Sequence, residues 1–212
     1  MTAFQRSSLR GGLAGLAVLL LGSGCATTVQ PLPTLAKAQV VSDFDSYELR
    51  RVGVVPVGGT ELGNGLEGEL QASLVGEFQR TTDVEWVQLG TAEFDGIEAF
   101  DLHLRGGYPT DTILTLTKRH RLDGLLVVTV TDRQAHAPQR LGLQAVLLSA
   151  ETGLSLWQAD VQLDAADSRT RQAGEAWAHT RGSDLSNDHW ELVLSSPRRF
   201  VALAAHQLAE VF

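Results

Sequence analysis

Apolar residues along the chain recur with two periods, and the switches between them mark out the elements. "RRVGVVPV" (50–57) is a short apolar run closed by Gly58-Gly59 and predicts a strand. In "NGLEGELQASLVGEFQR" (64–80), Leu66, Leu70, Leu74 and Phe78 recur every four residues, which makes one apolar helix face. Gly68 and Gly76 each weaken that helix by about 1 kcal/mol, so it must gain its stability by packing on a sheet. "VEWVQL" (84–89) is the second strand. Residues 90–110 show no sustained period, and "RGGYPTD" (105–111) marks a loop. "TDTILTLTKRHRL" (110–122) predicts a second helix, with Thr110 or Asp111 as N-cap and its basic residues at the C-terminal end.

Three strands follow: "DGLLVVTVTDRQ" (123–134), "RLGLQAVLLSA" (140–150) and "LSLWQADVQLDA" (154–165). The short polar turns between them, "AHAPQ" and "ETG", predict an antiparallel meander. "DSRTRQAGEAWAHT" (167–180) is read as helical. In the closing "SSPRRFVALAAHQLAEVF" (195–212), Ser196 as N-cap and Pro197 at the first position start a helix. Its apolar face is Phe200, Leu203, Ala204, Leu208 and Val211. The order β-α-β-α-β-β-β-α-α predicts a single-domain α/β (α+β) fold over residues 47–212, with a mixed sheet of about five strands and helices packed on it. Residues 25–46 carry Thr, Pro and Ala without a period and are expected to be a flexible tether.

The N-terminus has a different layout. Arg6 and Arg10 precede the apolar stretch "GGLAGLAVLLLG" (11–22), and Gly22, Ser23 and Gly24 follow, just before Cys25. A charged n-region, a short apolar core and small residues are the parts of a secretory signal, expected over residues 1–24. A membrane-spanning helix needs about 20 apolar residues, and this run is shorter. Cys25 is the sole cysteine, so no disulfide can form within one chain, and a zinc site of the usual type would need several Cys or His ligands. The string Leu21-Gly22-Ser23-Gly24-Cys25 resembles the lipobox of bacterial lipoproteins, with Gly22 standing where Leu is preferred. That resemblance implies a lipidated Cys25 as the first mature residue. Ordinary signal cleavage or a retained anchor are the other readings. Each buried CH₂ contributes about 0.8 kcal/mol, and a single chain anchors only marginally, so two or three chains are needed for lasting attachment. Ala26 rather than Asp after the cysteine implies, on the sorting rule of such lipoproteins, an outer-membrane anchor facing the periplasm.

Residues 1–24 carry two arginines and no acid, so their removal leaves 15 basic and 25 acidic residues and a net charge of −10. An acidic balance argues against nucleic acid as a partner. The charged fraction of 20% is that of a globular chain, not a disordered one.

The words of the core form a further pattern. "RVGVVPV", "LEGELQASLVGEF", "DVEWVQL" and "DGLLVVTVTD" lead to a hairpin with a "TG…W" turn, "SAETGLSLWQA" (149–159). Over about residues 50–162 this succession resembles a group of envelope lipoprotein domains. The group includes the curli-secretion-channel lipoproteins, the lipoprotein activators of penicillin-binding proteins, and the N-terminal domain of TolB. The resemblance implies a domain that binds or assembles, and it carries over no catalytic residue. The activator or assembly-factor type is expected, because no unassigned alternating stretch remains for the long hairpins of a curli-type barrel.

Candidate chemistry is sparse. "GNGLEG" matches G-x-G-x-x-G at Gly63, Gly65 and Gly68, but the glycines begin beyond the strand end and no acid closes the second strand. A Gly-rich helix start is therefore expected, and no cofactor. His103, His120, His136, His179, His189 and His206 fall in different elements without ligand spacing, so no metal site is expected. No G-x-S-x-G elbow occurs. Trp86 and Trp157 are expected in the core; Trp177 and Trp190 are packing residues or interface anchors, with packing favoured. Arg198 and Arg199 break a local rule, standing in the first turn of the last helix where the macrodipole disfavours cations. They are either solvated beside Asp188 and Glu191, or form an anion- or partner-binding corner. The expected function is a membrane-anchored, non-enzymatic envelope lipoprotein that binds, scaffolds or activates a protein partner. The alternatives are an envelope-polymer hydrolase and a shuttle for a small apolar ligand or lipid.

Overall fold

Strand-forming runs in this chain differ in how many faces they bury, and that difference sets the layers. The computed structural model describes residues 33–94, 110–181 and 189–212, within a compact unit that spans Leu32–Phe212. The strands are β1 (Lys37–Val40), β2 (Arg51–Val54), β3 (Gly58–Gly59), β4 (Glu85–Gln88), β5 (Gly124–Gln134), β6 (Arg140–Ser149) and β7 (Ser155–Asp164). The helices are α1 (Leu66–Thr81), α2 (Thr110–His120), α3 (Ser168–Thr180), α4 (Glu191–Ser195) and α5 (Pro197–Ala209).

One mixed sheet runs β1-β7-β6-β5-β2-β4, with β3 beside β5. β5, β6 and β7 form the expected antiparallel meander, while β2 lies parallel to both β4 and β5. β5 buries consecutive residues because both of its faces are covered. Leu126, Val128 and Val130 join the larger core on one side, and Leu125 and Val127 the smaller core on the other. β7 alternates instead: Trp157, Ala159, Val161 and Leu163 are buried, while Asp160 and Gln162 are exposed. Ile113 and Leu116 of α2 cover the smaller core. α1 and α5 lie over the larger one, with Leu70, Leu74, Phe78, Phe200, Leu203 and Leu208 fully buried.

An aromatic group closes the larger core. Phe212 lies 5.3 Å from both Phe78 and Trp157 and 5.5 Å from Trp86, edge to face in each case. Such pairs add about 0.5–1.5 kcal/mol beyond the area they bury. Both indoles are also satisfied: Trp157 Nε1 donates to Val211 O at 3.0 Å, and Trp86 Nε1 to Thr82 Oγ1 at 2.8 Å. Trp177 is buried too, and Trp190 is half-buried beneath the Arg171 guanidinium.

Three details differ from the sequence reading. The sheet has seven strands where about five were expected, the additions being β1 and the two-residue β3. The stretch read as a tether to residue 46 is folded at its C-terminal end: β1 pairs antiparallel with β7, and Phe44 packs on Phe212 at 5.8 Å. α4, five residues long, precedes α5. Ser196 holds the N-cap position of α5 without a side-chain cap bond, so Pro197 marks that start. The signal, Cys25, His103 and Asp188 lie outside the described residues.

Candidate functional site

The densest polar group among the described residues is buried between three helices. Glu77 lies on the apolar stripe of α1, three residues after Leu74, and its side chain is 5% exposed. Its carboxylate is engaged by Arg80 from the next turn of α1 and by Arg181, the C-cap residue of α3. His206 of α5, 4% exposed, brings Nδ1 to 3.2 Å from Glu77 Oε2, with Glu210 Oε1 at 3.8 Å. The Arg181 guanidinium lies 5.1 Å from the Trp177 ring centre, so the cation is shared between carboxylate and indole. Burial holds the His206 pKa below the ordinary imidazole value; Glu210 pulls it up and Arg80 pushes it further down. The group ties α1, α3 and α5 together through charge-assisted hydrogen bonds. It is a structural clamp. Neither Glu77 nor Arg181 was singled out from the sequence. The available signal was an acid at helical spacing from Leu70 and Leu74, on a face otherwise apolar.

The glycine motif is closed from within. Gly63, Asn64 and Gly65 take left-handed backbone angles, with φ of 73°, 55° and 74°, which turn the chain into α1. Glu67 Oε1 then accepts from the backbone N–H groups of Leu62 at 2.8 Å and Gly63 at 3.0 Å. A carboxylate from the chain itself thus takes amides that a phosphate would need. Backbone hydrogen bonds lower the Glu67 pKa, against a smaller opposing effect of burial, and Arg133 adds a further lowering.

The arginine corner is only half available. Arg198 Nη2 lies 2.8 Å from Glu69 Oε1 on α1, so the cation at the start of α5 is balanced across the helix pair. Arg199 is half-buried and makes no ion pair among the described residues. Glu191, in α4, pairs with neither. Of the histidines, His120 lies 3.1 Å from Glu93, and His206 belongs to the clamp. No group of three or more His, Cys, Asp or Glu among the described residues is placed to hold a metal.

An open groove of about 790 Å³ lies at the end of the sheet where β5 begins. Leu49, Leu114 and Leu122 form apolar parts of its wall, and Glu48, Lys118 and Glu151 bring charge to it. Asp123, also in the wall, is already used: Oδ2 accepts from the backbone N–H groups of Arg50 at 2.9 Å and Arg51 at 2.8 Å. Nothing in the sequence marked this groove, because three separate connections build it.

No family model and no curated protein matches the chain. Solved structures do. A PelC dodecamer from Paraburkholderia phytofirmans is 10% identical, with 77% of this chain and 97% of that one covered at a TM-score of 0.44. Lipoprotein GNA1162 from Neisseria meningitidis is 16% identical over 54% of this chain and 79% of that one, at 0.40. The LpoB C-terminal domain from Salmonella enterica is 11% identical over 54% and 82%, at 0.35.

Proposed function

We propose that the chain is a membrane-anchored lipoprotein of the bacterial cell envelope, facing the periplasm from the outer membrane, and acts as a non-enzymatic module that binds and scaffolds or activates a protein partner. The observation that carries this reading is the position of Cys25, directly behind an apolar signal core and a few residues ahead of the compact unit that begins at Leu32. An acylated Cys25 would hold that unit at a bilayer surface on a short leash. The folded unit supports a binding role, since its buried carboxylate, Glu77, is engaged by Arg80, Arg181 and His206 in joining helices. The groove beside β5 has a charged rim and an open mouth, unlike the enclosed apolar cavity that a lipid shuttle uses.

The test is acylation in the cell. Fatty-acid labelling should mark the wild-type protein, and Cys25→Ser should abolish the label and leave an uncut precursor. Equal labelling of the two would overturn the reading.

A further inference from the structure

The two edges of the sheet are finished differently. At the β4 edge, the backbone N–H of Trp86 is capped by Gln79 Oε1 at 3.1 Å, and Arg51 reaches Glu85 at 3.6 Å. β1 has no such cover among the described residues. Its register pairs Lys37 with Asp160, Gln39 with Gln158 and Val40 with Trp157. Val41 N–H donates to Leu156 O at 3.0 Å, which fixes the phase: Lys37, Gln39 and Val41 turn their main-chain groups toward β7. Ala38 and Val40 therefore present theirs on the outer edge, where no hydrogen bond to a described residue uses them. All four residues of β1 are exposed, and Val40 is one of three large apolar residues left open among those described, at 52%. Ala38-Gln39-Val40 carries no proline and no charge that would blunt an edge.

Charge selects the occupant. Lys37 stands at the N-terminal end of β1, and the exposed Asp43 and Asp45 follow its C-terminal end. Neither aspartate makes an ion pair among the described residues. An antiparallel neighbour with the same sequence sets Lys37 opposite Val41 of the second copy, next to its acidic flank, twice by symmetry; a parallel neighbour sets like against like. We propose that β1 is the docking edge for a second copy of this chain, paired antiparallel about a two-fold axis at Gln39.

In that register Ala38 meets the partner's Val40, and each pair exchanges main-chain hydrogen bonds, about four in all. The Val40 side chain, on the same face as Trp157, is covered by the partner's Ala38. Gln39 meets the partner's Gln39, an amide that both donates and accepts. The sheet then continues unbroken across both copies.

Disulfide linkage in cells that express the full chain tests the register. Gln39→Cys places thiols on the axis in a non-hydrogen-bonded pair, where opposed side chains are closest. It should give a covalent homodimer on mild oxidation, above the background that Cys25 of the wild type sets. Ala38→Cys, whose side chain lies on the other face and off the axis, should give far less. Lys37→Glu in the Gln39→Cys background reverses the charge beside the acidic flank of the second copy at both symmetric places and should lower the linked fraction about fivefold. Adding Asp43→Lys should restore it. Linkage at Gln39→Cys no greater than wild type, equal linkage at Ala38→Cys, or linkage to a different protein in place of a second copy would each overturn the proposal. Light scattering on the full chain in detergent supplies a second readout: wild type should run as a dimer and Lys37→Glu should shift toward monomer. Equal mass for the two would also overturn it.

Discussion

Replacing Glu77 by Gln keeps the side chain's size and removes the one charge that two guanidinium groups and an imidazole share. The carboxylate is 5% exposed, so its loss strands the Arg80 and Arg181 charges inside the α1–α3–α5 seam. Removing one partner of a fully buried pair costs about 3–5 kcal/mol. Here the guanidiniums are 44% and 30% exposed and can turn partly to water, which brings the expected loss down to about 2 kcal/mol. That is about a thirtyfold change in the folding equilibrium. For a unit of this size it corresponds to a fall in Tm of about 4–8 °C. Urea unfolding followed by tryptophan fluorescence measures it, because Trp177 lies against Arg181. The expected result is a lower midpoint with an unchanged slope, since the surface exposed on unfolding stays the same. A midpoint shift worth under about 0.5 kcal/mol would refute the reasoning, and would mean that the helices hold together by apolar packing alone.

Burial lowers the His206 pKa in the folded protein from its ordinary 6.5, so the unfolded chain takes up a proton first; stability should be full above about pH 6.5 and fall as pH drops toward the folded value. Urea midpoints across that window should slope for wild type and flatten for His206→Gln. Arg198→Gln should cost up to about 1 kcal/mol through the exposed pair with Glu69, and Arg199→Gln should cost nothing measurable in thermal melts. Pull-downs at low salt with both replaced test the corner as an anion or partner site, and unchanged association would leave the two as ordinary surface charge. A soluble form that starts at residue 46 should melt well below one that starts at residue 33, because it lacks β1 and the packing of Leu35, Val41 and Phe44, worth about 3 kcal/mol together at roughly 1 kcal/mol each.

The meander was legible because β5, β6 and β7 are long and separated by polar turns. α1 and α5 were legible through apolar faces that recur at helical spacing. β1 was not: Lys-Ala-Gln-Val does alternate, but over four residues only and with small Ala38 as one of its two apolar members, too short a signal beside the Pro- and Thr-rich stretch before it until β7 pairs with it. α4 has only five residues, too few for a period to show. The arginines at the start of α5 were visible as a broken rule, but their balance was not, since Glu69 reaches Arg198 only once α1 and α5 are packed side by side. The groove was hidden for the same reason. Its walls come from the β1–β2 connection, α2 with the turn after it, and the β6–β7 turn, which meet only in the folded chain.

Intact mass spectrometry of the protein extracted from membranes tests the anchor most directly. The expected species begins at Cys25, lacks residues 1–24, and carries the added mass of two or three acyl chains on the cysteine. A mature chain that starts elsewhere, or starts at Cys25 with a free thiol, would contradict the proposal that this protein is a lipid-anchored envelope module.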